Sequence, residues 1–378
     1  MKKSLSAQSV LKFSQAKRPF LAAFLFAAIS ICSYAQSSQN SDYTFTEASE
    51  LNLIGKILDT PNPYHRVDTC VFKGFTKGEN DQVRCSAGLA VLFKTNSTSI
   101  AIESEYGYRN YGLNTMPLAL RGYDLYIKKD GKWLWAASKV NGVNHENGRL
   151  VLISGMDSQE KECMLYLPMY SELYSVKIGV DNGASIESME SPFRHRVAIF
   201  GSSYTQGISI SRSGMSYPMQ FMRNTGIQLL SLGCSGNCKL QPYFADVLIA
   251  ADVDAIILDS FSNPPASMIE ERLFPFIEKI QKAKPDIPLI FMQTIYRESR
   301  NFNSGNNRNE QAKQDMAAKL MEEAVKKYKN VYFISTNATS PDHETSVDGV
   351  HPSDYGYTLW AKSIEKPILK ILRKHGLK

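Results

Sequence analysis

Two short segments, far apart in the 378-residue chain, carry side chains suited to nucleophilic and acid–base chemistry. The first is Gly201-Ser202-Ser203-Tyr204-Thr205-Gln206-Gly207, a turn of small residues directly after the apolar run Val197–Phe200. A hydroxyl at the carboxyl end of a strand, beside the positive end of the next helix, sits where an attacking alkoxide and a developing oxyanion are both favoured. The second is Val347-Asp348-Gly349-Val350-His351-Pro352, close to the C-terminus. An Asp and a His three apart in a turn rich in Gly and Pro can set the carboxylate against one imidazole nitrogen while the other faces a nucleophile. Alone, the first segment is only a tight turn and the second only a surface loop. Paired within one α/β region, they point to acyl transfer with Ser203 as nucleophile, His351 as base and Asp348 as the acid that orients it. No Gly-Lys-Ser/Thr follows, so the turn is not a phosphate loop, and the Gly-x-Ser-x-Gly elbow is missing. His343, next to Asp342, is the rival base, but neighbouring side chains of an extended chain point apart. His65, His145, His195 and His375 lie outside both segments and read as surface or packing residues.

The elements that must position these groups follow from the pattern of apolar residues. From about 194 onward, strand-like runs at Val197–Phe200, Leu229–Leu232, Ala255–Leu258, Pro288–Met292 and Val331–Ile334 alternate with helical periods near 215–224, 241–250, 267–283, 309–328 and 354–373. Strict βα alternation implies a parallel sheet covered by helices on both faces, with its ligand site beyond the carboxyl ends of the strands. Between about 49 and 190 the texture differs. Short alternating runs, among them Leu89–Lys94, Ser99–Glu103, Tyr123–Lys128, Cys163–Leu167 and Ser175–Val180, are separated by turn signals such as Lys129-Asp130-Gly131. That spacing predicts an antiparallel β-sandwich. Glu190–Phe193 is the hinge, and polar residues 36–48 form a flexible leader. The tryptophans Trp133 and Trp135 could line a sugar-binding face, although core or interface packing is the commoner use of such residues.

With its four blocks in order, the α/β half resembles the SGNH, or GDSL-like, hydrolases. Gly201-Ser202-Ser203 stands for the first block, Gly236 in Leu232-Gly233-Cys234-Ser235-Gly236-Asn237 for the second, Asn263 in Asp259-Ser260-Phe261-Ser262-Asn263 for the third, and Asp348 with His351 for the last. The resemblance implies a flavodoxin-like three-layer α/β/α domain over 194–378, preceded by a jelly-roll-like sandwich. It implies an oxyanion hole built from the backbone N–H groups of Ser203 and Gly236 and the side-chain amide of Asn263, with no metal or organic cofactor. Two departures stand out: Ser202 replaces the family's aspartate, and Ser-Phe-Ser-Asn-Pro replaces Gly-x-Asn-Asp. Arg121-Gly122-Tyr123-Asp124-Leu125-Tyr126 is similar to the Gly-x-Asp-Leu-Tyr motif of the β-rich domain that precedes one bacterial subgroup of these esterases. Pro61–Arg66 and Ser86–Ala90 are similar to that domain too.

Residues 1–35 read as an export signal: basic residues, an apolar run from Phe20 to Cys32, then Ser33-Tyr34-Ala35. The run is short of the roughly 20 residues of a membrane-spanning helix, so no stable membrane insertion is expected. Ile31 before Cys32 argues against a lipid anchor there, leaving a periplasmic or secreted protein. Five basic and no acidic residues lie in 1–35, so the formal net charge of +6 falls to +1 for the remainder, which disfavours nucleic acid as a partner. An acylated small molecule or polysaccharide is the expected substrate; the oligomeric state is open. Beyond the signal are Cys70, Cys85, Cys163, Cys234 and Cys238, with Cys70–Cys85 and Cys234–Cys238 as possible disulfides.

Overall fold

Strands that are apolar on both faces belong in the middle of a sheet covered on both sides, and the second half of the chain supplies five of them. The computed structural model describes residues 43–142 and 148–377; the export signal, Cys32 and His145 lie outside the described residues. The first half contains β1 (Tyr43–Glu47), β2 (Asn52–Ile54), α1 (Lys77–Val83), β3 (Ala90–Thr95), β4 (Ile100–Arg109), α2 (Pro117–Arg121), β5 (Tyr123–Lys129), β6 (Lys132–Lys139), β7 (Leu150–Ile153), β8 (Lys161–Tyr166), β9 (Ser171–Asp181) and β10 (Ile186–Ser188). The second half runs β11 (Arg194–Gly201), α3 (Ser203–Gln206), α4 (Tyr217–Thr225), β12 (Ile227–Gly233), α5 (Pro242–Ala250), β13 (Ala255–Asp259), α6 (Ala266–Ala283), β14 (Leu289–Met292), α7 (Ser304–Lys327), β15 (Val331–Ile334) and α8 (Asp354–Lys374).

The five parallel strands lie in the order β12-β11-β13-β14-β15. Alternation along them assigns the two faces. Val197, Ile199, Leu229, Ile257 and Ile290 meet Tyr217 and Phe221 of α4 and Trp360, Ile364 and Ile368 of α8. Ala198, Phe200, Leu230, Leu258 and Phe291 meet Phe244 of α5, Leu273 of α6 and Met321 of α7. This is the three-layer, doubly wound arrangement expected from the sequence. After β12 the chain crosses to the other side of β11, so the loops after β11 and β13 face each other across the point where winding reverses, the usual place for a ligand in such sheets.

Two antiparallel sheets form the first half, one ordered β1-β9-β4-β7 and the other β10-β3-β8-β5-β6, with β2 also pairing with β3. Their shared interior holds Val91, Phe93, Ile100, Leu125, Leu165 and Ile178. The outer faces of β3, β5 and β8 are apolar as well: Leu92, Tyr126, Met164 and Tyr166 join the α4 and α8 side of the other half in one continuous core. The described residues accordingly make one compact unit. Two expectations need correction. The leader is not polar tail throughout, because Tyr43–Glu47 pairs with β9, where the Glu47 carboxylate accepts from Val176 N–H at 3.1 Å. The five cysteines of the described residues are free thiols. Cys70 is exposed on a turn, the Cys85 thiol donates to Asp81 O, and the Cys238 thiol points at Asp259 O and Ser260 Oγ rather than at Cys234. Among the described residues no helix is long and apolar enough to cross a membrane.

The motifs of the first half are the bolts between the halves. Asp124, fully buried, accepts from Gly214 N–H at 2.7 Å and Arg212 Nη1 at 3.0 Å. Tyr126 Oη accepts from Arg212 at 2.6 Å, and the Arg223 guanidinium lies 4.2 Å over the Tyr126 ring. Gly122 must be glycine, since a Cβ there would stand 2.6 Å from Lys139 O and 2.7 Å from Leu118 O. Arg66, also fully buried, donates to four carbonyls: Cys85 and Gln82 in its own half, Ser231 and Gly233 at the end of β12. Trp135 has the Arg212 guanidinium 5.3 Å from its ring centroid and remains 54 % exposed.

Candidate active site

Ser203 opens the single-turn helix α3 immediately after β11, and Ser202 caps that turn by accepting from Tyr204 N–H. Gly201 lets the turn fold back onto the strand end, because a Cβ there would collide with the Thr205 side chain and come within 2.9 Å of Asp259 Cβ. Ser203 is 5 % exposed, and its hydroxyl lies 3.1 Å from His351 Nε2. His351 Nδ1 lies 2.8 Å from Asp348 Oδ2. A carboxylate only accepts, so the imidazole hydrogen sits on Nδ1, and Nε2 is left as the acceptor for the serine proton. The same loop holds the acid: Asp348 Oδ1 accepts from His351 N–H at 2.7 Å and Val350 N–H at 3.0 Å. Partial burial pushes the acid's proton affinity up. Hydrogen bonds from the His351 ring and backbone, the Asn114 amide and Val350 N–H outweigh it, so Asp348 stays ionised far below the usual carboxylate range.

Tyr204 fixes the imidazole from the other side. Its ring meets the His351 ring edge-on at 5.6 Å, its hydroxyl donates to Val350 O at 3.0 Å, and Arg297 Nε donates to that hydroxyl at 2.8 Å. Burial pushes the phenol up to about 12, so it stays a neutral donor.

Gly236 and Asn263 stand on the loops after β12 and β13, the two strands that flank β11. Gly236 is exposed at the tip of a tight turn with φ +72°, a conformation glycine adopts without strain. Asn263 Oδ1 accepts from Cys238 N–H at 3.1 Å, which ties the two loops together; its Nδ2 makes no hydrogen bond among the described residues. Ser235 N–H donates to Gln206 Oε1 at 2.9 Å, tying the second loop to α3. The loops that carry Gly236 and Asn263 therefore follow the two strands on either side of β11, whose end carries Ser203.

The sequence did not point to three sets of contacts, made by four residues. Asp259, fully buried beneath the turn, accepts from Thr205 Oγ1 at 2.9 Å and has Ser202 Oγ at 3.5 Å. A carboxylate thus lies beside position 202 even though that position itself is serine. Tyr204 and Arg297 are the second case; Asn114, from the sandwich, donating to Asp348 Oδ2 at 2.9 Å, is the third. His343 is elsewhere, paired with Glu298 at 2.7 Å; His65 pairs with Glu172 and His375 with Tyr332. Beside Asp348 lies a groove of about 810 Å³, lined by Tyr111, Leu113, Met116, Val347 and Tyr355, all exposed. Two loops distant in the chain combine to make this apolar surface.

Comparison with known families matches residues 43–186 to the N-terminal domain of SGNH hydrolase-type esterases, the GxDLY family, and residues 194–370 to the GDSL-like lipase/acylhydrolase family. A structure described as a GDSL-like lipase from Bacteroides ovatus is 39 % identical, with TM-score 0.84 over 88 % of this chain and 98 % of that one. A salicylyl-acyltransferase from a tetracycline biosynthetic pathway shares the fold at 18 % identity and TM-score 0.65, over 88 % of this chain and 98 % of its own. So does a family two carbohydrate esterase from Cellvibrio japonicus, at 10 % identity and TM-score 0.58 over the same shares. Curated proteins give no match.

Proposed function

Since the chain belongs to the GDSL-like lipase/acylhydrolase family, we propose that this ester hydrolase is exported and works through Ser203, His351 and Asp348, removing acetyl or other small acyl groups from carbohydrate. The observation that carries the reading is the unbroken relay from Ser203 Oγ to His351 Nε2 at 3.1 Å and from Nδ1 to Asp348 at 2.8 Å. His351 takes the serine proton as Oγ attacks the ester carbonyl. The tetrahedral oxyanion is held by the Ser203 and Gly236 N–H groups and Asn263 Nδ2; one such donor is typically worth about 10²–10³ in rate. Collapse expels the alcohol with the proton carried by His351. Water, deprotonated by the same nitrogen, then attacks the acyl-enzyme, and the carboxylate leaves with Ser203 restored.

Support for a sugar ester comes from the export signal, the near-neutral charge of the remaining chain and the carbohydrate esterases that share this fold. The apolar groove beside Asp348 favours a second reading, a lipid or long-chain acylhydrolase. Hydrolysis of p-nitrophenyl esters from acetate to decanoate by wild type and Ser203→Ala separates them. Preference for acetate supports the first reading and preference for long chains the second; full activity in the variant would remove the serine mechanism.

A further inference from the structure

The acid of the relay takes three of its four hydrogen bonds from its own loop, at Val350 N–H, His351 N–H and His351 Nδ1. The fourth comes from Asn114 Nδ2, 234 positions away in the loop between β4 and α2. That loop is pinned at both ends. Asn110 N–H donates to Tyr170 O at 3.1 Å, and Asn110 Oδ1 accepts from Gly112 N–H at 2.7 Å. Thr115 Oγ1, buried, accepts from Ser209 N–H at 2.8 Å, just beyond α3. Thr115 Oγ1 also lies 3.4 Å from Asn114 Oδ1 as its donor, so the amide is turned with its nitrogen toward the carboxylate, the only sense in which it can bond. Asn114 thus bonds the same oxygen, Oδ2, that receives the imidazole hydrogen. A donor there fixes the rotation of the carboxylate about its Cβ–Cγ bond and keeps Oδ2 in the plane of the ring. The side chain of Asp348 is 32 % exposed, so without that donor water competes for the same lone pair.

We propose that Asn114 is a positioning residue for the triad, supplied by the sandwich, so that the accessory half completes the catalytic half rather than merely accompanying it. This rests on the serine mechanism proposed above. The arrangement also gives the pinned loop a reason to lie over the hydrolytic loop, since Leu113 and Met116 beside Asn114 wall the groove next to Asp348.

The test uses the whole secreted chain and p-nitrophenyl acetate. Asn114→Ala lowers kcat about tenfold with KM within about twofold, and slows labelling of Ser203 by a fluorophosphonate by the same factor. Asn114→Gln, which keeps the amide, recovers at least about threefold of that loss, and Asn114→Asp, which sets a second carboxylate against Asp348, falls below Asn114→Ala. The melting temperature of all three stays near that of wild type. The proposal is overturned if Asn114→Ala and Asn114→Asp keep kcat within about twofold, if the whole loss is in KM, or if glutamine recovers nothing. Ser203→Ala, run alongside, separates the two claims. An inactive Ser203→Ala with an unaffected Asn114→Ala sinks only the positioning role, whereas an active Ser203→Ala sinks the mechanism beneath it.

Discussion

Replacing Asp259 by asparagine removes a carboxylate from beneath the nucleophile's turn while keeping its shape. Burial pushes Asp259 up to about 7 from its ordinary 3.8; the hydroxyl of Thr205, the backbone and hydroxyl of Ser202 and the more distant Arg297 pull the other way without overcoming it. The native state therefore holds a proton that the unfolded chain gives up near pH 4. Stability conferred by that proton is present in full below the unfolded value and is lost as pH rises through about 7. Taking 3.8 and 7 as the two values, the full loss is on the order of 4 kcal/mol, and the part falling between pH 5 and pH 8 is about 3 kcal/mol. Asparagine has no such proton to lose. Urea unfolding of wild type and Asp259→Asn at pH 5, 6, 7 and 8 should show wild type losing about 3 kcal/mol relative to the variant over that range. Parallel stability profiles, or a wild type that gains on the variant as pH rises, would refute the reasoning.

Arg66→Met removes the donor shared by four carbonyls across the interface between the halves. It should destabilise the fold by at least about 3 kcal/mol in urea unfolding, and a loss below about 1 kcal/mol would show that the interface does not depend on it. His343→Ala should leave kcat/KM within about twofold of wild type in ester hydrolysis, because His343 is engaged with Glu298 and not with Ser203.

The parallel half was legible because its strands are apolar on both faces and its helices keep a 3.6-residue period, so Val197–Phe200 and the stretch containing Trp360 and Ile364 announce their partners locally. Residue types and spacing could name Ser203, Asp348 and His351 because the acid and base share one loop. Asn114 and Arg297 carry no such local mark: each matters only through a contact with a residue far along the chain. Asp259 begins the third block, yet its burial depends on the strand order that sets it level with Gly201. Tyr43–Glu47 reads as polar leader because none of its residues is fully buried, and its pairing with β9 is decided by register rather than by composition. The motif around Asp124 was recognised by resemblance, but its work as a clamp on Arg212 and Gly214 required the second half to be in place.

Acid-quenching the reaction with p-nitrophenyl acetate and mapping the digested protein by mass spectrometry addresses the nucleophile itself. The account predicts one added acetyl group on the peptide carrying Ser203, absent in Ser203→Ala and accumulating with a burst of p-nitrophenol. Undiminished turnover in Ser203→Ala, or an acetyl group that maps to a different residue and is lost when that residue is replaced, would contradict it.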